Sequence, residues 1–199
     1  MNDSFETNYW NDEYKKSKCS GAGSRGELLK YKIDYINSIF KRFDIKKVFD
    51  FGCGDGMIAR DLNVEKYLGV DGSKEAIKVF IKNVDDLKFN AFVGHFYNYK
   101  PIGYDAIICL DVLYHMKEKE VLDDLLKRIF QSDTKIIILY CAPPEDITET
   151  HNSPEFCAFG RDFRDTLDKV NKDFEFVEKT KRQKGTGSIF YVYKRRDIK

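Results

Sequence analysis

Short apolar runs alternate along this chain with longer stretches whose apolar residues return every three or four positions. The short runs read as buried strands at 46–51, 67–70, 88–96, 105–110 and 135–140. The longer stretches read as amphipathic helices. Leu28, Leu29, Ile33, Ile36, Ile39, Phe40 and Phe43 keep a period of about 3.6 residues, as do Val121, Leu122, Leu125, Leu126 and Ile129 within 117–130. A helix is expected at 57–62, and another at 74–84 with Ser73 as its N-cap. Past Pro143-Pro144 the pattern lapses to about residue 160, then a helix is predicted at 162–170. Strands at 174–180 and 189–193 flank Gly185-Thr186-Gly187, which reads as a hairpin turn. The stretch 97–104 holds Pro101 and Gly103 and is too short for a crossover helix, so a loop or a single turn is expected there. Alternating strands and helices predict one α/β domain: a doubly wound, mostly parallel, seven-stranded sheet with a C-terminal antiparallel hairpin and helices on both faces. Residues 1–26 are polar and glycine/serine-rich and read as an arm or lid ahead of the domain at 27–199.

Composition narrows this picture. A chain of 199 residues buries one sizeable core. Lys and Arg number 34 against 33 Asp and Glu, so net charge marks no basic nucleic-acid face. Five cysteines without a C-x-x-C pair read as buried thiols in a reducing compartment. No run approaches the ~18 apolar residues of a membrane span, and Met1-Asn2-Asp3-Ser4 is unlike a signal peptide. The expected location is cytoplasmic. No H-E-x-x-H motif occurs, and no metal site is expected.

The first strand breaks into Phe51-Gly52-Cys53-Gly54-Asp55-Gly56, and the next closes on Asp71, about 20 residues beyond Gly52. A glycine turn after a first strand, with an acidic residue ending the second, is the layout of a nucleotide-type cofactor site. The spacing is G-x-G-x-G; Met57 stands where a dinucleotide fingerprint would have its third glycine. The variant resembles motif I of the class I S-adenosylmethionine-dependent methyltransferases. That resemblance implies S-adenosylmethionine as cofactor and S-adenosylhomocysteine as product. It places Asp50 near the methionine amino group, Gly52, Cys53, Gly54 and Gly56 in the cofactor turn, and Asp71 on the ribose hydroxyls. Gly72 and Ser73 would lie beside the adenine. Many relatives carry an acidic residue at the end of strand three; His95 and Phe96 stand there instead, so backbone and ring stacking would serve the adenine.

Strand four runs into Leu110-Asp111-Val112-Leu113-Tyr114-His115, which resembles the D/E-V-x-x-H segment of small-molecule O-methyltransferases. Leu110 and Asp111 would lie along the cofactor, Tyr114 would shape the pocket, and His115 is the candidate general base. A hydroxyl nucleophile is weak until its proton leaves, and an imidazole suits that task near neutral pH. The N-terminal Trp10-x-x-x-Tyr14 and Ser20-Gly21-Ala22-Gly23-Ser24 resemble the opening of a bacterial and viral subgroup of the same class. Aromatic faces of Tyr9, Trp10 or Tyr14 would meet the sulfonium, and Gly23 and Ser24 the cofactor carboxylate. His151, Arg161 and Arg164 are further candidates for touching an acceptor.

The leading expectation is O-methylation of a hydroxyl on a sugar, glycan or other small molecule. The alternative is a nucleic-acid or protein methyltransferase. The N/D-P-P-Y/F tetrad of base methylation is replaced by Asp111-Val112-Leu113-Tyr114, whereas the Lys179, Lys181, Arg182, Lys184 cluster and Lys194-Arg195-Arg196 favour that alternative. A binding domain that keeps the fold without turnover is the third possibility.

Overall fold

A computed structural model describes residues 5–143 and 163–198. Helix α1 (Phe5–Ser17) and a short 3-10 turn (Ala22–Ser24) precede α2 (Gly26–Arg42). The chain then alternates: β1 (Lys47–Phe51), β2 (Lys66–Asp71), α3 (Lys74–Asn83), β3 (Phe89–Val93), β4 (Ala106–Leu110), α4 (Lys119–Phe130) and β5 (Ile136–Cys141). Helix α5 (Arg164–Val170) leads into β6 (Phe174–Lys179) and β7 (Ile189–Arg195). The seven strands are ordered β3-β2-β1-β4-β5-β7-β6. The first five are parallel, and β7 runs antiparallel between β5 and β6. The expected doubly wound architecture is the one found.

The sheet's central strands are apolar on both faces because both faces are covered. Phe49, Phe51, Ile107, Cys109, Ile137 and Leu139 face α4 and its Leu122, Leu126 and Ile129. Their neighbours Val48, Ile108, Ile136 and Ile138 face Ile36, Ile39 and Phe40 of α2, and Phe80 of α3 joins that cluster. Strand order reverses between β1 and β4, since β1 continues outward to β2 while β4 continues to β5. The crevice beyond the carboxyl ends of two such strands is where ligands bind in open α/β sheets.

Several local expectations are corrected. The helix expected at 57–62 is a series of turns with one 3-10 turn at Ala59–Asp61. Only a few residues separate the glycine turn from β2, and Asn37 of α2 clamps them: its amide donates to the Asp61 carbonyl and its oxygen accepts from Asn63 N–H. Strand three stops at Val93, and a 3-10 turn at Phe96–Asn98 replaces its end. The β3–β4 connection therefore has one turn and no crossover helix, as its length required. The polar arm contains an α-helix, with Thr7, Asn11 and Tyr14 buried against the domain. The β6–β7 hairpin is joined by a loop over 180–188 whose turn falls at Lys184-Gly185, at the start of the expected segment. Residues 144–162, including His151 and Arg161, lie outside the described residues.

Candidate active site

The three glycines of the first turn have positive φ of 82°, 55° and 77°, and each is confined by a different neighbour. A Cβ on Gly52 would lie 2.2 Å from Cγ2 of Val112, and one on Gly54 2.8 Å from the hydroxyls of Tyr14 and Ser20. A Cβ on Gly56 would strike Phe80 and Val84 at 2.7 Å. Gly52 and Gly54 thus hold the turn against the ends of β4 and the arm, while Gly56 packs on α3.

Asp71 leaves the end of β2 and reaches this turn. Its Oδ2 accepts the Gly54 N–H at 2.9 Å and its Oδ1 accepts the Ser73 N–H at 2.8 Å. Burial raises its pKa to about 6; the two N–H donors oppose that rise, and the charge of Asp55 adds to it. Asp50 on β1 is buried more deeply. Burial, opposed by the Tyr67 hydroxyl that donates to Oδ2 and assisted by Asp71, lifts its pKa to about 7. Oδ1 of Asp50 is buried without a hydrogen-bond partner among the described residues, an acceptor in search of a donor.

Both carboxylates border a cavity of about 570 Å³ at the carboxyl ends of β1, β2 and β4. Gly52, Cys53 and Gly54 line it, as do Gly72, Ser73, His95, Phe96 and Leu110. Asp111, Tyr114 and His115 form another part of the wall, and Trp10, Gly23 and Ser24 come from the arm. Of the residues that sequence reasoning assigned to donor or chemistry, Gly56 and Tyr9 do not line the cavity, and Gly56 packs on Phe80 and Val84 instead. Tyr14 does line it. Ser24 N–H is taken by the Gly21 carbonyl within its own turn, so it is not part of an anion-binding nest there.

The arm is tied down at several points. Asn11 Oδ1 accepts from the Ser73 hydroxyl at 2.9 Å, Glu6 accepts the Lys117 N–H at 2.8 Å, and Trp10 stacks edge-on to His115 with ring centroids 4.9 Å apart. Asp55 gathers the Arg25 guanidinium and the Ser20 N–H, fastening the 3-10 turn to the glycine turn. At the end of β4, Asp111 has φ of 59°, a left-handed conformation unusual for a residue with a side chain. Its Oδ1 accepts the Tyr114 hydroxyl at 3.0 Å and its Oδ2 pairs with Lys32. Burial and the Asp111 charge push the Tyr114 phenol well above its ordinary pKa, so it stays a donor.

Further residues line the cavity without a role assigned from the sequence: Ser20 and Lys32, which belong to the N-terminal motif that resembles the subgroup, Asp55, and the loop residues Gly185–Ser188. A signal for Lys32 was present. It stands one turn before Ile36 on the buried stripe of α2, where a lysine has no ordinary reason to be. Nothing local marked the loop residues, because the β5–β7 pairing carries them to the site.

A cofactor crevice at the switch point of a seven-stranded sheet, with an acidic β2 end beside a glycine turn, defines the class I methyltransferase architecture. Residues 49–132 match a family described as a methyltransferase domain. The fold superimposes on magnesium protoporphyrin IX methyltransferase ChlM of Synechocystis PCC 6803 with bound S-adenosylhomocysteine, TM-score 0.71 at 17% identity, covering 95% of this chain and 97% of that one. N-methyltransferase NodS of Bradyrhizobium japonicum WM9, also with S-adenosylhomocysteine, gives 0.76 at 9% identity over 98% and 100% of the two chains. The methyltransferase domain of a bacterial Hen1 gives 0.66 at 19% identity over 84% and 98%. Likeness at these identities is a likeness of fold. No curated protein matches the sequence. The domain match and the shared fold support an S-adenosylmethionine-dependent methyltransferase.

Proposed function

We propose that this enzyme methylates a hydroxyl of a sugar, glycan or other small molecule, with His115 as general base. The observation that carries the reading is the company His115 keeps. It shares one cavity with Asp111 and Tyr114 on one side and with the Asp71 turn on the other. Bound there, S-adenosylmethionine supplies an electrophilic methyl group. The donor fits the residues present: Asp71 offers lone pairs to a ribose diol, and the unpartnered Asp50 Oδ1 suits an ammonium. Gly52, Cys53 and Gly54 would run beneath the donor, Gly72, Ser73, His95 and Phe96 would border its base, and Leu110 would lie along it. Gly23 and Ser24 would approach its carboxylate end, and Trp10 would close over it within the arm at 1–26.

His115 would accept the proton that the acceptor hydroxyl gives up, a contribution of about 10²–10⁴-fold. Asp111, pinned by its neighbours, accepts a hydrogen bond from a second hydroxyl of the acceptor and so turns the reacting oxygen toward the methyl. Charge supports a neutral acceptor over a polyanion. Glu6, Asp50, Asp55, Asp71 and Asp111 line the cavity, and among the described lining residues Lys32 alone carries an ammonium. Cys19, Cys53 and Cys109 are free thiols, which supports a reducing, cytoplasmic setting; among the described residues no helix is long and apolar enough to cross a membrane. The test is radiolabelled methyl transfer to a panel of monosaccharides and oligosaccharides, with RNA and protein run alongside. Label in sugar that vanishes in His115→Ala supports the reading; label confined to RNA or protein overturns it.

A further inference from the structure

Lys32 is 1% exposed, yet it borders the cavity. Three groups from three parts of the chain surround it. It donates to the Gly23 carbonyl of the arm at 2.8 Å and to Oδ2 of Asp111 at the end of β4, and it sits 4.6 Å above the ring of Tyr140 on β5. Tyr140 in turn donates its hydroxyl to Thr186 in the β6–β7 loop at 3.1 Å. One cation thus joins the arm, the strand that carries the chemistry and the far wall of the cavity.

This arrangement is costly in two ways. Burying an ammonium forfeits its hydration, and an apolar side chain of similar volume commonly gives equal or greater stability at such a site. Its partner Asp111 is held in a left-handed backbone conformation, one that costs an L residue some energy although aspartate adopts it more readily than most. The two costs meet in a single pair, and that pair opens onto the cavity: the Asp111 side chain is 23% exposed while Lys32 is sealed behind it. A cation lodged there fixes where the carboxylate points without itself facing an acceptor.

We propose that Lys32 is a positioning residue for methyl transfer: it holds the Asp111 carboxylate, and through it the Tyr114 hydroxyl, in the orientation that receives a donor group of the acceptor beside the reacting hydroxyl, and it locks that orientation to the closed arm through Gly23. The inference rests on the methyl-transfer reading above. Asp111 braced in this way accepts hydrogen bonds on the cavity side, so the acceptor must carry a hydrogen-bond donor beside its reacting hydroxyl. A hydroxyl or an amine meets that requirement, and an ionised carboxylate does not.

The experiment compares wild type with Lys32→Arg, Lys32→Met and the neutral pair Lys32→Met/Asp111→Asn. S-adenosylhomocysteine affinity is read by calorimetry, and kcat and KM by radiolabelled transfer to the hydroxyl panel. Lys32→Met should keep S-adenosylhomocysteine affinity within about threefold and lose about 100-fold in kcat, the scale of an ångström of misplacement. Lys32→Arg should recover to within about tenfold. The neutral pair removes the uncompensated charge, so it should melt above Lys32→Met and still transfer no faster. If Lys32→Met does not fold, the neutral pair and Lys32→Arg carry the comparison. Neutral-pair turnover near wild type, or an unchanged kcat in Lys32→Met, overturns the positioning role. Loss of S-adenosylhomocysteine binding in a folded Lys32→Met also overturns it, placing Lys32 on the donor instead. Wild-type protein that fails to bind S-adenosylhomocysteine, by contrast, defeats the donor reading itself.

Discussion

At the scale of single residues, Asp71 and Gly52 set the sharpest expectations. Asp71 accepts two backbone N–H groups and faces the cavity, so Asp71→Asn should weaken S-adenosylhomocysteine binding by about 10–100-fold, the scale of hydrogen bonds to a charged acceptor. Calorimetry checks this, and an unchanged affinity would remove Asp71 from the donor site. Gly52→Ala meets Val112 at 2.2 Å and forces a side chain to φ of 82°. It should destabilise by about 2–4 kcal/mol. Adding Val112→Ala should restore the part due to the clash and leave the part due to φ, a coupling that denaturant melts of the two single variants and the pair would resolve. The importance of both positions was legible in the sequence, because a glycine turn and an acidic strand end are local signals. Lys32 was legible as a member of the N-terminal motif and as an oddity on a buried stripe, without a role. Nothing near it in sequence identifies Asp111 as its partner, since the contact spans 79 positions.

Among the elements, α1 is the one whose behaviour the sequence left open. Its composition is polar, and an isolated helix of 13 residues is marginal in water. What stabilises it is the domain beneath. Asn11 accepts from the Ser73 hydroxyl and the Glu75 N–H at the start of α3, and Glu6 accepts from the segment after His115. The helix therefore touches both the donor side and the acceptor side of the cavity. Asn11→Ala should loosen it and speed S-adenosylhomocysteine release several-fold, leaving the sheet's circular dichroism unchanged. Trp10 is the chain's single tryptophan and stacks on His115, so its fluorescence reports the same event in stopped flow. A release rate equal to wild type would mean that α1 does not gate the site. The helix expected at 57–62 failed for the opposite reason. Its apolar spacing was suitable, but too little chain lies between the glycine turn and β2 for a helix to form and still return to the sheet.

Across the whole molecule, the buried carboxylates give stability and binding opposite responses to pH. Asp50 and Asp71 have folded pKa values of about 7 and 6, above the ordinary carboxylate value of about 3.9. Between these limits the folded protein binds more protons than the unfolded chain, so these two groups make the ligand-free protein more stable as pH falls from 7 toward 4. Asp105, Asp123 and Glu178 have lowered values, Asp105 and Asp123 through lysine partners and Glu178 through Arg42. Their contribution is present above the ordinary carboxylate pKa and is lost below it. Melting temperature should therefore rise on mild acidification before it falls, and Asp50→Asn should flatten the rise. Affinity for S-adenosylhomocysteine should move the other way and weaken below about pH 6, as Asp71 takes up a proton. Parallel trends in the two measurements would contradict this assignment. What the sequence by itself determined is whatever depends on neighbours along the chain: strand and helix periods, the glycine turn, the acidic end of β2, and hence the α/β class and the kind of cofactor. Tertiary structure alone decided what depends on distant segments meeting. The arm folds against α3, the β6–β7 loop reaches the cavity, and a lysine from α2 is sealed behind an aspartate from β4, because a buried charge finds its partner through space rather than through sequence.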